Sequence, residues 1–598
     1  MNPFVDSIKQ VENWLSSNKF VRIVGKKRSW RFSITEGYFK GESITLFLPE
    51  TFPASPAAIY IDPKYFLVLP HVESDGRICL NVPPVPEDYE KPIESVIRAL
   101  CAFEKSWFKT TTGSVSHEFH RERLSYWSQY QETERNKLLR WRLPADTFVE
   151  LSPFKGWMHG QAVCHIQKGH RERQISCQVA TAKPNGDARA LARRHGFDKG
   201  SLYIGKALFI QLPANMHWVP KTWPRKFDAL SELVKECTDN QVNLHNWIFD
   251  DGYGSQKVKK KKQGKRLRHD LSQLRERPLL IFFVQEHALF GYQILPIRHG
   301  PSKQIQIAPL RPERIDASWA LTRDHQVQAL EQKQEKRVLV IGCGSLGSPI
   351  IELLARSGVG HLDILDEERF EIPNISRHIL GIRAVNTYKA KALANRLFQE
   401  IPGVRIGSVS ADLASWFSTL KNAEKYDLII ECTGESSVRT LISRWRDQMF
   451  GNTPLIHTWL EPFCSAAHIV LSQVSDPWPW EDPADDKVNI ASFDGTNHKV
   501  MLPACNSGFH PYGPTDVWGA ASFVAERSLA VLEAPSTPSS IWSWVRTKAF
   551  YNSLPVFPVI YDESVLATGG ILDKKTIERD YADILGTRRS AHAQLVAV

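Results

Sequence analysis

Cysteine is scarce in this chain and never closely paired. Nine cysteines in 598 residues are too few for a disulfide scaffold, and the absence of any C-x-x-C removes the usual knuckles of a structural zinc site. Long apolar runs are missing too. No uncharged apolar run reaches the roughly 18 to 20 residues of a membrane helix, and Asp6, Lys9, Glu12 and Lys19 stand where a secretory leader would be apolar. The expectation is a cytoplasmic protein with no membrane partner. Nor is one sign of charge in large excess: 75 Lys+Arg against 65 Asp+Glu leaves +10, which permits a polyanionic partner without demanding one. Much of that excess lies in Lys257 to Arg268 (KVKKKKQGKRLR), which reads either as a solvated loop or as a contact for nucleic acid or an acidic protein.

What is present is globular. Hydrophobic residues are 42% and charged residues 23% of the chain, which excludes disorder, collagen and coiled coil as descriptions of the whole. Three regions follow from the patterning. In residues 1–140, Val5, Ile8, Val11, Trp14 and Leu15 recur at helical spacing. Strand-like stretches come next at Phe20 to Val24, Trp30 to Thr35, Ser43 to Leu48 and Ile59 to Ile61, and a second helical pattern runs from Ile93 to Phe108. That order predicts a compact α+β domain. Residues 141–320 hold strand candidates at Ala207 to Leu212, Leu279 to Val284 and Tyr292 to Ile297, with no catalytic constellation, and read as an α/β or α+β linker domain. Residues 321–598 alternate strands (Val338 to Ile341, Leu362 to Leu365, Leu428 to Ile430) with helices (Pro349 to Ser357, Tyr388 to Glu400), the pattern of a doubly wound, Rossmann-like α/β sheet. The fold class is therefore multidomain.

After the first of those strands stands Gly342-Cys343-Gly344-Ser345-Leu346-Gly347. This is the G-x-G-x-x-G turn, whose glycines let backbone N–H groups and a helix N-terminus approach phosphate. Asp366, at the end of the second strand, is placed to hold ribose hydroxyls. These features say nucleotide and leave NAD against ATP open.

The next residues, Asp366-Glu367-Glu368-Arg369-Phe370-Glu371-Ile372-Pro373-Asn374-Ile375-Ser376-Arg377, resemble the corresponding stretch of the ubiquitin-activating (E1-like, ThiF-type) superfamily. That superfamily includes the adenylating enzymes of thiamin and molybdopterin biosynthesis. The resemblance implies Mg2+ and ATP, with Asp366 on the ribose, Glu368 in the nucleotide site, Asn374 and Arg377 on the phosphates, and Lys389 on the α or β phosphate. Relatives carry C-T-D after the fourth strand where this chain reads Glu431-Cys432-Thr433-Gly434-Glu435; Glu435 either takes over the magnesium-associated role or only faces solvent. Arg323 matches the arginine that relatives insert into a partner subunit, which implies a homodimer.

Two thiols stand out from the rest. Cys505, in the Pro- and Gly-rich loop Leu502 to Asp516 ahead of a helical stretch from Val517, is the candidate acyl acceptor, because loop exposure and a nearby helix start favour thiolate chemistry. It follows Glu481 to Asp486, which reads as an exposed crossing loop. Cys464 is the competitor, in a segment that favours burial, while Cys343 and Cys432 read as packing residues. Cys101, Cys164, Cys177 and Cys237 read as small buried hydrophobes. The second thiol is Cys79. Leu69-Pro70-His71-Val72-Glu73-Ser74-Asp75-Gly76-Arg77-Ile78-Cys79-Leu80 resembles the H-P-N-x-x-x-x-G-x-x-C-L motif of ubiquitin-conjugating (E2-like) enzymes. His71 occupies the place of the family's oxyanion-stabilising Asn; it either donates the same hydrogen bond or is a loop histidine.

Both halves in one chain resemble the bacterial E2–E1 fusion enzymes of CBASS anti-phage operons. The resemblance implies adenylation of a protein's C-terminal carboxylate, with a cGAS-like nucleotidyltransferase as the donor. A thioester on Cys505, transfer to Cys79 and an isopeptide on a lysine of a target protein would follow. The alternatives are a sulfur-carrier adenylyltransferase, a non-catalytic scaffold for a ubiquitin-like protein, and a nicotinamide oxidoreductase, which would leave Arg377, Lys389 and the N-terminal domain without a role.

Overall fold

The computed structural model describes residues 5–586 apart from 37–39, 81, 113–114, 138–145, 169–172, 184–185, 198–200, 250–276, 297–304, 323–328, 421–424, 494–499, 502–507 and 510. Cys505, Arg323 and the Lys257 to Arg268 segment fall outside the described residues. The chain divides into two units, Met1–Arg314 and Ile315–Val598.

The first unit opens with helix α1 (Val5–Ser17), whose Ile8, Val11 and Leu15 are buried at spacings of three and four. It packs with strands β1 (Val21–Arg22), β2 (Ser29–Ser33), β3 (Ser43–Phe47) and β4 (Ala58–Tyr60), an antiparallel meander in chain order, and with α2 (Pro92–Thr112). In α2 the core takes Val96, Ala99 and Phe103. Cys101 lies two residues from both Ala99 and Phe103, so helical geometry turns it to solvent. It is exposed rather than buried, and Cys237 is only half-buried, whereas Cys164 and Cys177 are buried.

Helices α3 (Val115–Arg121) and α4 (Arg123–Lys137) follow. Although they are continuous in sequence with the meander, their Phe119, Tyr126, Trp127 and Tyr130 enter the next core. That core lies on an eight-stranded sheet of β5 (Asp146–Glu150), β6 (Trp157–Lys168), β7 (Arg173–Thr181), β8 (Ser201–Gln211), β9 (Leu279–Gln285), β10 (Ala288–Pro296), β11 (Ile305–Leu310) and β12 (Pro312–Arg314), in the order β11-β10-β9-β8-β6-β7-β5-β12.

The second unit is built on β13 (Arg337–Ile341), β14 (His361–Leu365), β15 (Arg405–Val409), β16 (Leu428–Glu431) and β17 (Leu455–Leu460), all parallel, extended by antiparallel β18 (Ala466–Ser472), β22 (Ser540–Arg546) and β24 (Lys574–Asp580). The sheet order is β15-β14-β13-β16-β17-β18-β22-β24. Val338 to Ile341 and Leu428 to Ile430 are buried throughout, as strands covered on both faces must be. Short ladders join β19 (Ala491–Ser492) to β23 (Val559–Ile560) and β20 (Val500–Met501) to β21 (Gly508–Phe509). The acidic segment from Glu481 is not simply an exposed crossing. Asp482 turns inward onto the Arg439 guanidinium at 2.9 Å through both carboxylate oxygens, because that cation is itself buried and has to be neutralised. Among the described residues no helix is long and apolar enough to cross a membrane.

Candidate functional site

The candidate nucleotide cradle forms where β13 gives way to the helix Gly347–Arg356. Gly342 sits at φ +90°, in the left-handed region that glycine enters without strain. A Cβ on Gly347 would lie 2.1 Å from the Gly342 carbonyl oxygen, so the turn closes only over a hydrogen at that position. Gly344 differs: a Cβ there would meet nothing within 4 Å. The turn is thus packed from behind at its ends and open at its middle, beside a helix N-terminus, which is the form a phosphate cradle requires.

Charged groups converge on that opening. Asp366 receives the Cys343 N–H at 2.7 Å and the Glu368 N–H at 2.8 Å. Burial pushes its carboxyl up, and those two hydrogen bonds then oppose the rise. Lys389 is buried and paired with Glu368. The Arg377 guanidinium lies 4.8 Å from the centre of the Tyr512 ring, and the Tyr512 hydroxyl is 2.8 Å from Ser345 Oγ in the glycine turn. The Asn374 side chain accepts the Glu371 N–H at 2.9 Å and so shapes the turn that carries Arg377. His378 braces the same segment from beneath. Its Nε2–H donates to the Cys343 carbonyl at 2.7 Å and its Nδ1 accepts the Leu380 N–H at 3.0 Å; burial holds its pKa down to about 4.

Glu435 is exposed at the start of the helix Ser436–Phe450. Glu367 is pushed up first by burial, then by Asp412, Glu368, Glu435 and Asp366. Two cations and a helix N-terminus suit the phosphates of ATP, whereas among the described residues no group of three or more His, Cys, Asp or Glu is gathered closely enough to hold a metal ion by itself. Two features carried no recognisable signal in the sequence. One is Tyr512, which lies seven residues beyond Cys505. The other is the buried pair Glu431 and His457, with Nδ1 to Oε2 at 3.0 Å. Burial alone would raise Glu431, but the His457 hydrogen bond and the Arg439 charge bring it below its ordinary range, while burial holds His457 neutral.

The competing thiol and the two packing cysteines are all buried. Cys464 is buried and its pKa is pushed up to about 12, and burial likewise raises Cys343 and Cys432.

Cys79, by contrast, is exposed. It closes a narrow hairpin in which Val72 bridges Ile78 and Gly76 takes φ +86°, where a Cβ would strike the Ile61 carbonyl at 2.2 Å. The Ile78 N–H donates to the Ile59 carbonyl at 2.8 Å, tying the hairpin to β4, and the Cys79 N–H donates to the His71 carbonyl at 2.8 Å. The His71 ring is set between two carboxylates, Nδ1 3.6 Å from Glu122 and Nε2 3.9 Å from Glu118.

Two family models match the chain. Residues 9–136 match the family described as prokaryotic E2 family B, and residues 317–471 match the ThiF family. The chain is a fusion of an E2-like and an E1-like domain. It is 37% identical over 142 residues to the ATP-dependent ubiquitin transferase-like protein Cap2 of Enterobacter hormaechei subsp. hoffmannii, covering 24% of this chain and 23% of that protein. Cap2 of Vibrio cholerae is 29% identical over 243 residues, 37% of this chain and 39% of that protein. The adenylyltransferase and sulfurtransferase UBA4 of Yarrowia lipolytica is 28% identical over 174 residues, 29% of this chain and 37% of that protein. In each case the match spans well under half the relative's length. A solved structure of Escherichia coli MccB with succinimide aligns at 14% identity and TM-score 0.29, over 43% of this chain and 66% of that one.

Proposed function

We propose that this E2–E1 fusion joins the C-terminal carboxylate of a protein substrate to a lysine amine at the expense of ATP. The observation that carries the reading is an exposed Cys79 in an E2-like hairpin on the same chain as an open, cation-lined nucleotide cradle. ATP is a substrate in this scheme; Glu435 and Glu367 would face the Mg2+ that accompanies it, which would supply neutralisation of phosphate charge. Asp366 orients the ribose. Arg377, Lys389, Asn374 and the glycine turn of Gly342, Gly344 and Gly347 hold the phosphates, with Lys389 exchanging its Glu368 partner for phosphate oxygen. The substrate carboxylate attacks the α-phosphorus and pyrophosphate leaves. The Cys505 thiolate then takes the acyl group with loss of AMP, Cys79 takes it from Cys505 by thioester exchange, and a lysine amine takes it from Cys79. Carrying both thiols on one chain raises the effective concentration of each for the other.

The resemblance to CBASS fusion enzymes makes a cGAS-like nucleotidyltransferase the proposed donor and a homodimer through Arg323 the proposed assembly. The domain limits 1–140, 141–320 and 321–598 are proposed with them. A sulfur-carrier adenylyltransferase would account for residues 317–471 but leaves the E2-like domain without work.

The test is ATP–pyrophosphate exchange with the donor protein bearing a free or an amidated C-terminus. Exchange is expected with the free carboxylate only, and is expected to survive Cys505→Ala. Exchange that ignores the C-terminus would overturn the reading.

A further inference from the structure

The turn that presents Cys79 is strained and is held from outside itself. His71 has φ +63°, a left-handed conformation unfavourable for a residue with a Cβ. Its carbonyl is fixed by the Cys79 N–H at 2.8 Å. Its own N–H donates to the Tyr126 hydroxyl at 2.6 Å, and Tyr126 is not part of the E2-like hairpin or meander. That hydroxyl donates onward to Glu122 at 3.3 Å, the carboxylate beside His71 Nδ1. Tyr126 is buried, packs edge-on against Phe119 at 4.8 Å, and lies within electrostatic range of Cys79.

The helix that carries it is firmly anchored. The next residue, Trp127, donates its indole N–H to the Leu310 carbonyl at 2.7 Å and packs among Trp218, Trp223, Phe290 and Tyr292. One side of α4 therefore grips the middle sheet while its neighbour reaches the thiol turn.

We propose that Tyr126 is the positioning residue of the Cys79 site, so that α4, seated on the middle sheet, buttresses the thiol turn through a single phenol hydroxyl. The idea rests on the reading of Cys79 as an acyl carrier and adds to it the part that orients the reacting sulfur. In the step concerned, an amine nitrogen bonds to the thioester carbon, the C–S bond breaks with its electron pair leaving on sulfur, and the extra ammonium proton passes to water. A turn free to relax out of the left-handed conformation would misplace the carbonyl carbon for that attack.

Tyr126→Phe in the full chain keeps the ring and removes only the hydroxyl. Tyr130→Phe, one helical turn on, serves as the control for the loss of a buried phenol hydroxyl from α4. In Tyr126→Phe, exchange of the His71 amide hydrogen is expected to quicken, and transfer of the acyl group from Cys79 to lysine to slow, each about tenfold, as loss of one hydrogen bond implies. Tyr130→Phe should change neither. His71 exchange within twofold of wild type would overturn the proposal, as would faster exchange with unchanged transfer. If wild type carries no acyl group on Cys79, the conjugation reading fails separately. Tyr126 is then judged by alkylation of Cys79 with iodoacetamide, where a fivefold change supports it and an unchanged rate overturns it.

Discussion

His378 should make the second unit sensitive to acid in a way that one substitution removes. Its imidazole is neutral in the fold, with pKa about 4 against an ordinary 6.5, because protonation would force a buried charge between the Cys343 carbonyl and the Leu380 N–H. The folded value lies below the unfolded one, so between the two the unfolded chain binds more protons. The stabilisation is complete above pH 6.5 and is lost as pH falls toward 4. By pH 4.5 most of a contribution of about 3 kcal/mol is lost, and all of it once both states are protonated. Other groups titrate in the same window, so the informative quantity is the difference between wild type and His378→Gln. That difference, measured by urea unfolding followed through amide exchange in β13, should shrink by about 2–3 kcal/mol from pH 7.5 to 4.5. Parallel pH profiles for the two proteins would refute the buried neutral imidazole. ATP affinity should fall in His378→Gln even at pH 7.5, because the segment bearing Arg377 loses its brace.

The glycine turn separates folding from binding. Gly347→Ala must displace the Gly342 carbonyl and should lower the melting temperature along with ATP affinity. Gly344→Ala should melt like wild type yet bind ATP at least about tenfold more weakly, as read by calorimetry; a Gly347→Ala protein with wild-type stability would show that the turn is not packed as described. Arg439→Met strands Asp482 as an unpaired, largely buried charge and should cost about 3–5 kcal/mol in urea unfolding. Adding Asp482→Leu should recover most of that, and a double variant as unstable as the single one would contradict the pairing.

The parallel core was the most legible part of the sequence. Val338 to Ile341 and Leu428 to Ile430 are unbroken β-branched and Leu runs, and the helices Gly347–Arg356 and Lys389–Glu400 repeat apolar residues at their proper period. Gly342 and Gly347 were readable because steric exclusion at a tight turn leaves a fixed spacing. The middle sheet was far less so. Strand β6 mixes His159, Gln161, His165 and Gln167 among its apolar residues, and β5 and β7 share that polar character, so no short apolar run marks them. Tyr126, Tyr512, His378 and Arg439 were invisible for another reason. Each acts through a partner tens to more than a hundred residues distant, or through a backbone group, and no local period encodes such a contact.

The central claim is the order in which two sulfurs carry one acyl group. It is tested most directly by incubating the chain with ATP and the donor protein, then resolving reducible adducts on non-reducing gels and by intact mass. Cys505→Ala should abolish the adduct at both positions, whereas Cys79→Ala should retain one on Cys505 and form no isopeptide. An acyl group found on Cys79 in the Cys505→Ala protein would contradict the account.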